Sequence, residues 1–97
     1  MTKEVVIATV EVDLKLPGIL SLKEKRHIIK PLIARLQSKF NASVAEVDYN
    51  DNSRMARIGA AVVSNEKKFC EQVIAKLVAA IEQHSEVVLI DYRVEVL

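Results

Sequence analysis

A ferredoxin-like α+β sandwich of βαββαβ order is the fold class this sequence predicts. Three observations lead there. Four stretches show the two-residue alternation of strands, and two show the three- and four-residue spacing of amphipathic helices. They follow one another as strand, helix, strand, strand, helix, strand. Right-handed crossovers then put both helices on one face of a four-stranded antiparallel sheet of order 4-1-3-2, leaving its other face open. The 97 residues suit a single domain, 1–97.

The first strand is expected over 5–16. Val10, Val12, Leu14 and Leu16 share one side, and Glu11, Asp13 and Lys15 share the other. Pro17-Gly18 breaks the chain. Ser21-Leu22-Lys23-Glu24 fits a capping box, so a helix should run over 22–40, with Ile29, Leu32, Ile33, Leu36 and Phe40 as its apolar stripe. Pro31 falls inside it, which predicts either a kink or a tight first turn followed by a second segment. Asn41 reads as the helix stop.

The second strand is expected over 43–49, with Ala45, Val47 and Tyr49 on one side and Glu46 and Asp48 on the other. Asn50-Asp51-Asn52-Ser53 is a strong turn signal, and 55–63 returns as the third strand of a hairpin. Ser64 or Asn65 should cap a second helix whose apolar side holds Phe69, Cys70, Val73, Ile74, Leu77, Val78 and Ile81. The last strand is expected over 87–97. Val88, Ile90, Tyr92, Val94 and Val96 alternate there with Leu89, Asp91, Arg93 and Glu95.

Composition narrows the function classes. Hydrophobic residues are 51% and charged residues 28%, which excludes disorder. A net charge of +1 excludes a generally basic nucleic-acid coat but not a local patch. One cysteine cannot form an internal disulfide, which suits a reducing compartment. No leader and no apolar run of about 18 residues is visible, so a cytoplasmic protein without membrane contact is expected.

Metal and cofactor chemistry is not expected. His27, His84 and Cys70 lie at no ligand spacing, and two glycines cannot make a phosphate cradle. Cys70 reads as a small core residue, and His84 as a partner of the last helical carbonyls. Glu46 with Asp48, and Asp91 with Glu95, share faces by alternation. On a wet sheet they read as surface charges rather than an acid–base pair. No catalytic residue is assigned, and the chain is read as a non-enzyme.

Two surfaces remain. The open sheet face offers Val5, Ile7, Val63, Val87 and Leu89, a cluster that suggests an interface between two copies meeting face to face or edge to edge, hence a homodimer. Its charged middle and its lack of outward aromatics on the central strands argue against base stacking. The start of the first helix carries Ser21, Lys23, Lys25, Arg26 and Lys30, with Arg54 and Arg57 at the hairpin. Cations at a helix start oppose its dipole, so they suggest anion binding, for instance RNA phosphate. The plainer reading of the same residues is a solvated helix face. The alternative function is a homodimeric structural or protein-interaction module that uses its sheet face or an edge strand and has no nucleic-acid affinity.

Ser21-Leu22-Lys23-Glu24-Lys25-Arg26, Phe40-Asn41-Ala42-Ser43-Val44-Ala45-Glu46-Val47, Gly59 and Val62-Val63-Ser64-Asn65 fall in an order and spacing that resembles the YlxP-like family of small bacterial proteins. That resemblance implies a ferredoxin-like domain of unknown function. The family's genes often lie near those for transcription and translation factors, which implies a role close to RNA or the ribosome. At the hairpin the chain departs from the family pattern. Members resemble Asp-Leu-Trp-Gln-Arg, where this chain has Asp51-Asn52-Ser53-Arg54-Met55. The tryptophan is absent and the arginine displaced, and the resemblance supplies no catalytic residue.

Overall fold

In a computed structural model, which describes residues 4–97, the chain forms β1 (Val6–Lys15), α1 (Leu22–Phe40), β2 (Ser43–Asp48), β3 (Met55–Ser64), α2 (Lys67–Glu82) and β4 (Val88–Val96). The sheet order is β2-β3-β1-β4 and every pairing is antiparallel. Read from the other edge this is 4-1-3-2, the order that right-handed crossovers require. No helix among the described residues is long and apolar enough to cross a membrane.

The core lies between one sheet face and the two helices. Ala8, Val10, Val12, Leu14 and Leu16 alternate inward from β1, and Ala56, Ile58, Ala60 and Val62 from β3. Ile28, Ile29, Leu32 and Leu36 meet them from α1, and Cys70, Ile74, Leu77, Val78 and Ile81 from α2. Cys70 is fully buried, as a small apolar side chain should be. Phe69 is half exposed and leaves the expected apolar stripe of α2.

Local signals set the helix ends. Ser21 is the N-cap of α1, its Oγ accepting from the Glu24 amide at 3.1 Å. Asn41 ends that helix in the left-handed region at φ 49°, which asparagine tolerates better than most residues. Glu66, not Ser64 or Asn65, is the N-cap of α2, while Ser64 Oγ accepts from the Glu66 amide at 3.2 Å. His84 Nδ1 accepts from the Glu86 amide at 3.3 Å, so its side chain serves the following turn rather than the helical carbonyls. α1 continues through Pro31 as one element instead of dividing there. The His27 carbonyl loses its helical donor to the proline, but His27 is exposed and water can supply the bond.

Two bulges reverse the alternation that a regular strand would keep. In β4, Asp91 lies opposite Asp13 but Leu89 lies opposite Leu14, so Ile90 is the extra residue. One added residue flips every side chain beyond it. Val87 is therefore buried in the core, Leu89 packs against it, and Val88 is half exposed. This corrects the expectation that placed Val87 and Leu89 on the open face. In β2, Glu46 lies opposite Ile58 and Asp48 opposite Arg57, with Val47 extra. Glu46 and Asp48 therefore point to opposite faces, and the pair expected from strict alternation does not form.

Candidate functional site

Three constellations of polar side chains are built on this frame. The first is internal. Lys25 was expected among the anion-binding cations, yet it is 2% exposed. Its Nζ donates to the Tyr49 carbonyl at 2.7 Å and the Asn52 carbonyl at 2.8 Å, and pairs with Glu46 Oε2 at 2.7 Å. Two carbonyls accept hydrogen bonds from the ammonium group, and the carboxylate balances its charge. Lys25 thus clamps the hairpin turn against the first turns of α1 and offers nothing to a ligand. Its position foretells this, because 25, 28, 29, 32 and 36 form one helical stripe. Tyr49 sits at φ 62°, a conformation disfavoured for an aromatic residue. It is held there by the Lys25 bond, the Asn52 amide on its carbonyl at 2.9 Å, and Asp48 Oδ1 on its own amide at 2.7 Å.

The second constellation covers the middle of the open sheet face. Arg57 Nε pairs with Asp13 at 2.6 Å and its Nη1 with Asp48 at 3.2 Å, while the guanidinium lies 5.2 Å from the Tyr49 ring centre. Arg93 pairs with Glu11 and with Asp13, each at 3.3 Å, and with Asp91 at 3.6 Å. The Arg57 guanidinium, by hydrogen bonding, holds the Asp13 carboxyl below its ordinary range. Burial opposes that shift and Arg93 adds to it. Four carboxylates surround two guanidiniums, so this face repels phosphate. Arg57, also expected in the anion site, is committed to this network.

The third constellation is a stripe on α1. Lys23, Arg26, His27 and Lys30, at i, i+3, i+4 and i+7, line an open depression of about 320 Å³ together with Pro31. All four basic residues are exposed, and Lys23, Arg26 and Lys30 form no ion pair among the described residues. A second depression, also about 320 Å³, is lined by Lys15, Leu16, Pro17, Gly18, Arg54 and Met55. The Leu16 amide donates to the Arg54 carbonyl at 2.9 Å, tying the hairpin to the loop that precedes α1. Through this bond and the Lys25 clamp, the hairpin, that loop and the start of α1 converge at one end of the domain.

Of the residues expected at the anion site, Lys23, Arg26 and Lys30 come together, Arg54 lies at the same end, and Ser21 is engaged as the helix cap. Sequence reasoning missed His27 and Lys15. The signal for His27 was its place one helical turn after Lys23. Of the expected interface, Ile7 and Val63 are on the open face, directly opposite each other, and Val5 is exposed just ahead of β1. Among the described residues no group of three or more histidine, cysteine, aspartate or glutamate side chains is arranged to hold a metal ion.

Comparison with known proteins adds a family. The model of a family described as "Protein of unknown function (DUF503)" matches residues 7–94. The "Uncharacterized protein YlxP" of Bacillus subtilis (strain 168) is 36% identical over 67 residues, which is 69% of this chain and 73% of that protein.

Proposed function

The chain belongs to the DUF503 family, and from that premise we propose that it is a non-enzymatic module that binds RNA phosphate, on free RNA or on the ribosome, through the cation stripe of α1. The observation that carries this reading is the contrast between two sets of cations. Arg57 and Arg93 are already paired with carboxylates, whereas Lys23, Arg26 and Lys30 stand exposed and unpaired on one helical stripe among the described residues. Like charges at i+3 and i+4 destabilise a helix. Lys23 and Arg26 lie moreover near its positive end, where cations are unfavourable. A surface kept at that cost suits an anionic partner. Arg54 and Lys15, at the same end of the domain, extend it.

Contacts of this kind position a backbone without reading bases. Binding should therefore weaken with salt and tolerate changes of sequence. The test is RNA affinity of the variant carrying Lys23→Glu, Arg26→Glu and Lys30→Glu. Affinity should vanish while the melting temperature stays near that of the parent. Unchanged affinity would remove the stripe from the function. The second reading, a protein-interaction module without nucleic-acid affinity, draws on the exposed pair Ile7 and Val63 on the open face. Capture of partners from native extract, with and without nuclease, separates the two. RNA or ribosomal partners favour the first, and nuclease-resistant protein partners the second.

A further inference from the structure

β4 is an edge strand, and its two sides are chemically unequal. The Leu97 amide donates to the Ile7 carbonyl at 2.8 Å. Hydrogen-bonded pairs alternate along an antiparallel ladder, so Glu95, Arg93 and Asp91 also turn their backbone groups toward β1. Tyr92, Val94 and Val96 then turn theirs outward. The Tyr92 amide agrees: it is bonded not to β1 but to Asp91 Oδ1 at 2.8 Å. Their side chains lie opposite Val12, Val10 and Ala8, on the helix side of the sheet, yet Tyr92 is 48% and Val94 46% exposed. An edge with free backbone groups and half-exposed apolar side chains is a template for another strand.

We propose that this edge is covered by β4 of a second copy, paired antiparallel about a two-fold axis at Val94. The bulge at Ile90 ends the regular stretch on one side and so limits pairing to 91–97. Outward residues must face outward residues, which leaves few registers. An axis at Arg93 sets Arg93 against itself and Asp91 against Glu95. An axis at Asp91 or at Glu95 sets two carboxylates together. An axis at Tyr92 runs the pairing into the bulge. With the axis at Val94, Arg93 lies opposite the partner's Glu95 twice, Tyr92 opposite the partner's Val96 twice, and Val94 opposite its own copy. Charges meet charges on the open face, and apolar side chains meet on the helix side. Glu95, which forms no ion pair among the described residues, gains one. Asp91 gives up the Tyr92 amide to the partner's Val96 carbonyl. The result is a continuous eight-stranded sheet with all four helices on one face, and the two α2 helices flank the joined strands. This proposal is independent of RNA binding.

The test is sedimentation of the full chain with two charge variants. The parent should be a dimer. Glu95→Arg alone and Arg93→Glu alone should each weaken it roughly tenfold or more, because each sets like charges together twice. Mixed one to one, they should re-form a dimer, since each copy then offers the charge the other lacks. A parent that stays monomeric at millimolar concentration would overturn the proposal, as would a dimer whose dissociation constant Glu95→Arg leaves unchanged. Should Arg93→Glu fail to fold, Val94→Lys replaces it, placing two ammonium groups at the axis. That variant should be monomeric, and a dimer would overturn the proposal. In the parent, the amides of Tyr92, Val94 and Val96 should exchange more slowly as dimer forms. Exchange at free-edge rates within a dimer would also overturn it.

Discussion

The Nζ of Lys25 lies 2.7 Å from Glu46 Oε2, and the two side chains are 2% and 20% exposed. A residue that looks like one cation among several on a basic helix start is thus the internal bracket between α1 and the hairpin. Removing one partner of such a pair leaves the other charge desolvated, which typically costs about 3 kcal/mol. Lys25→Met also strips a donor from the Tyr49 and Asn52 carbonyls. It should lower stability by about that amount in urea titration, and Glu46→Gln by less, about 1 kcal/mol. The double variant should cost less than the sum, because the two side chains share one interaction. If Lys25→Met melts with the parent and instead loses RNA affinity, the bracket is misassigned.

Asp13 makes the acid side of the stability profile predictable. Its folded carboxyl titrates below the ordinary value because Arg57, and then Arg93, hydrogen-bond to its charged form against the opposing effect of burial. An aspartate in the unfolded chain titrates near 3.9. The contribution is therefore fully present above about pH 4 and is lost as pH falls through the lower folded value. Arg57→Met should raise the Asp13 titration midpoint, as read from its carboxyl carbon in NMR, and flatten stability against pH in this window. An unmoved midpoint would mean that Arg93 alone holds the carboxylate.

Pro31 sits mid-helix with no amide to give the His27 carbonyl. Alanine restores that bond and relieves the ring's clash, though it returns some freedom to the unfolded chain. Pro31→Ala should raise stability by about 2 kcal/mol, or roughly 10 °C in melting temperature for a chain of this length. A fall would mean that the ring makes packing contacts worth more than the helical bond.

Most of the fold was legible because alternation and helical spacing are local. Val10 to Leu16, Ile29 to Leu36 and the Asn41 stop needed only neighbouring residues. The two bulges were not legible, since an extra residue in one strand is defined only against its partner. That is why Val87 and Leu89 were placed on the wrong face, and why Glu46 was paired with Asp48 rather than with Lys25. The site divides in the same way. Lys23, Arg26 and Lys30 follow from spacing along one helix, and Lys25 could have been set apart from them by its place one turn before Ile29. Arg57 could not, because its partners Asp13 and Asp48 come from two other strands.

The bulge at Val47 carries a last prediction. A Cβ added to Gly59 would meet Val47 Cγ1 at 3.0 Å and Cγ2 at 3.5 Å. Glycine is therefore needed there to let the bulged side chain lie across the open face, not to reach an unusual backbone angle. Val47 is 52% exposed, so its side chain has room to swing away. Gly59→Ala should then cost no more than about 1 kcal/mol. If this contact is the cause, truncating the neighbour removes it: Gly59→Ala in a Val47→Ala background should be neutral, or slightly stabilising because alanine replaces a flexible glycine in a strand. Chemical denaturation of the four members of this cycle gives the coupling directly. A cost for Gly59→Ala that persists without Val47 would trace the need for glycine to the β1 or β2 backbone instead.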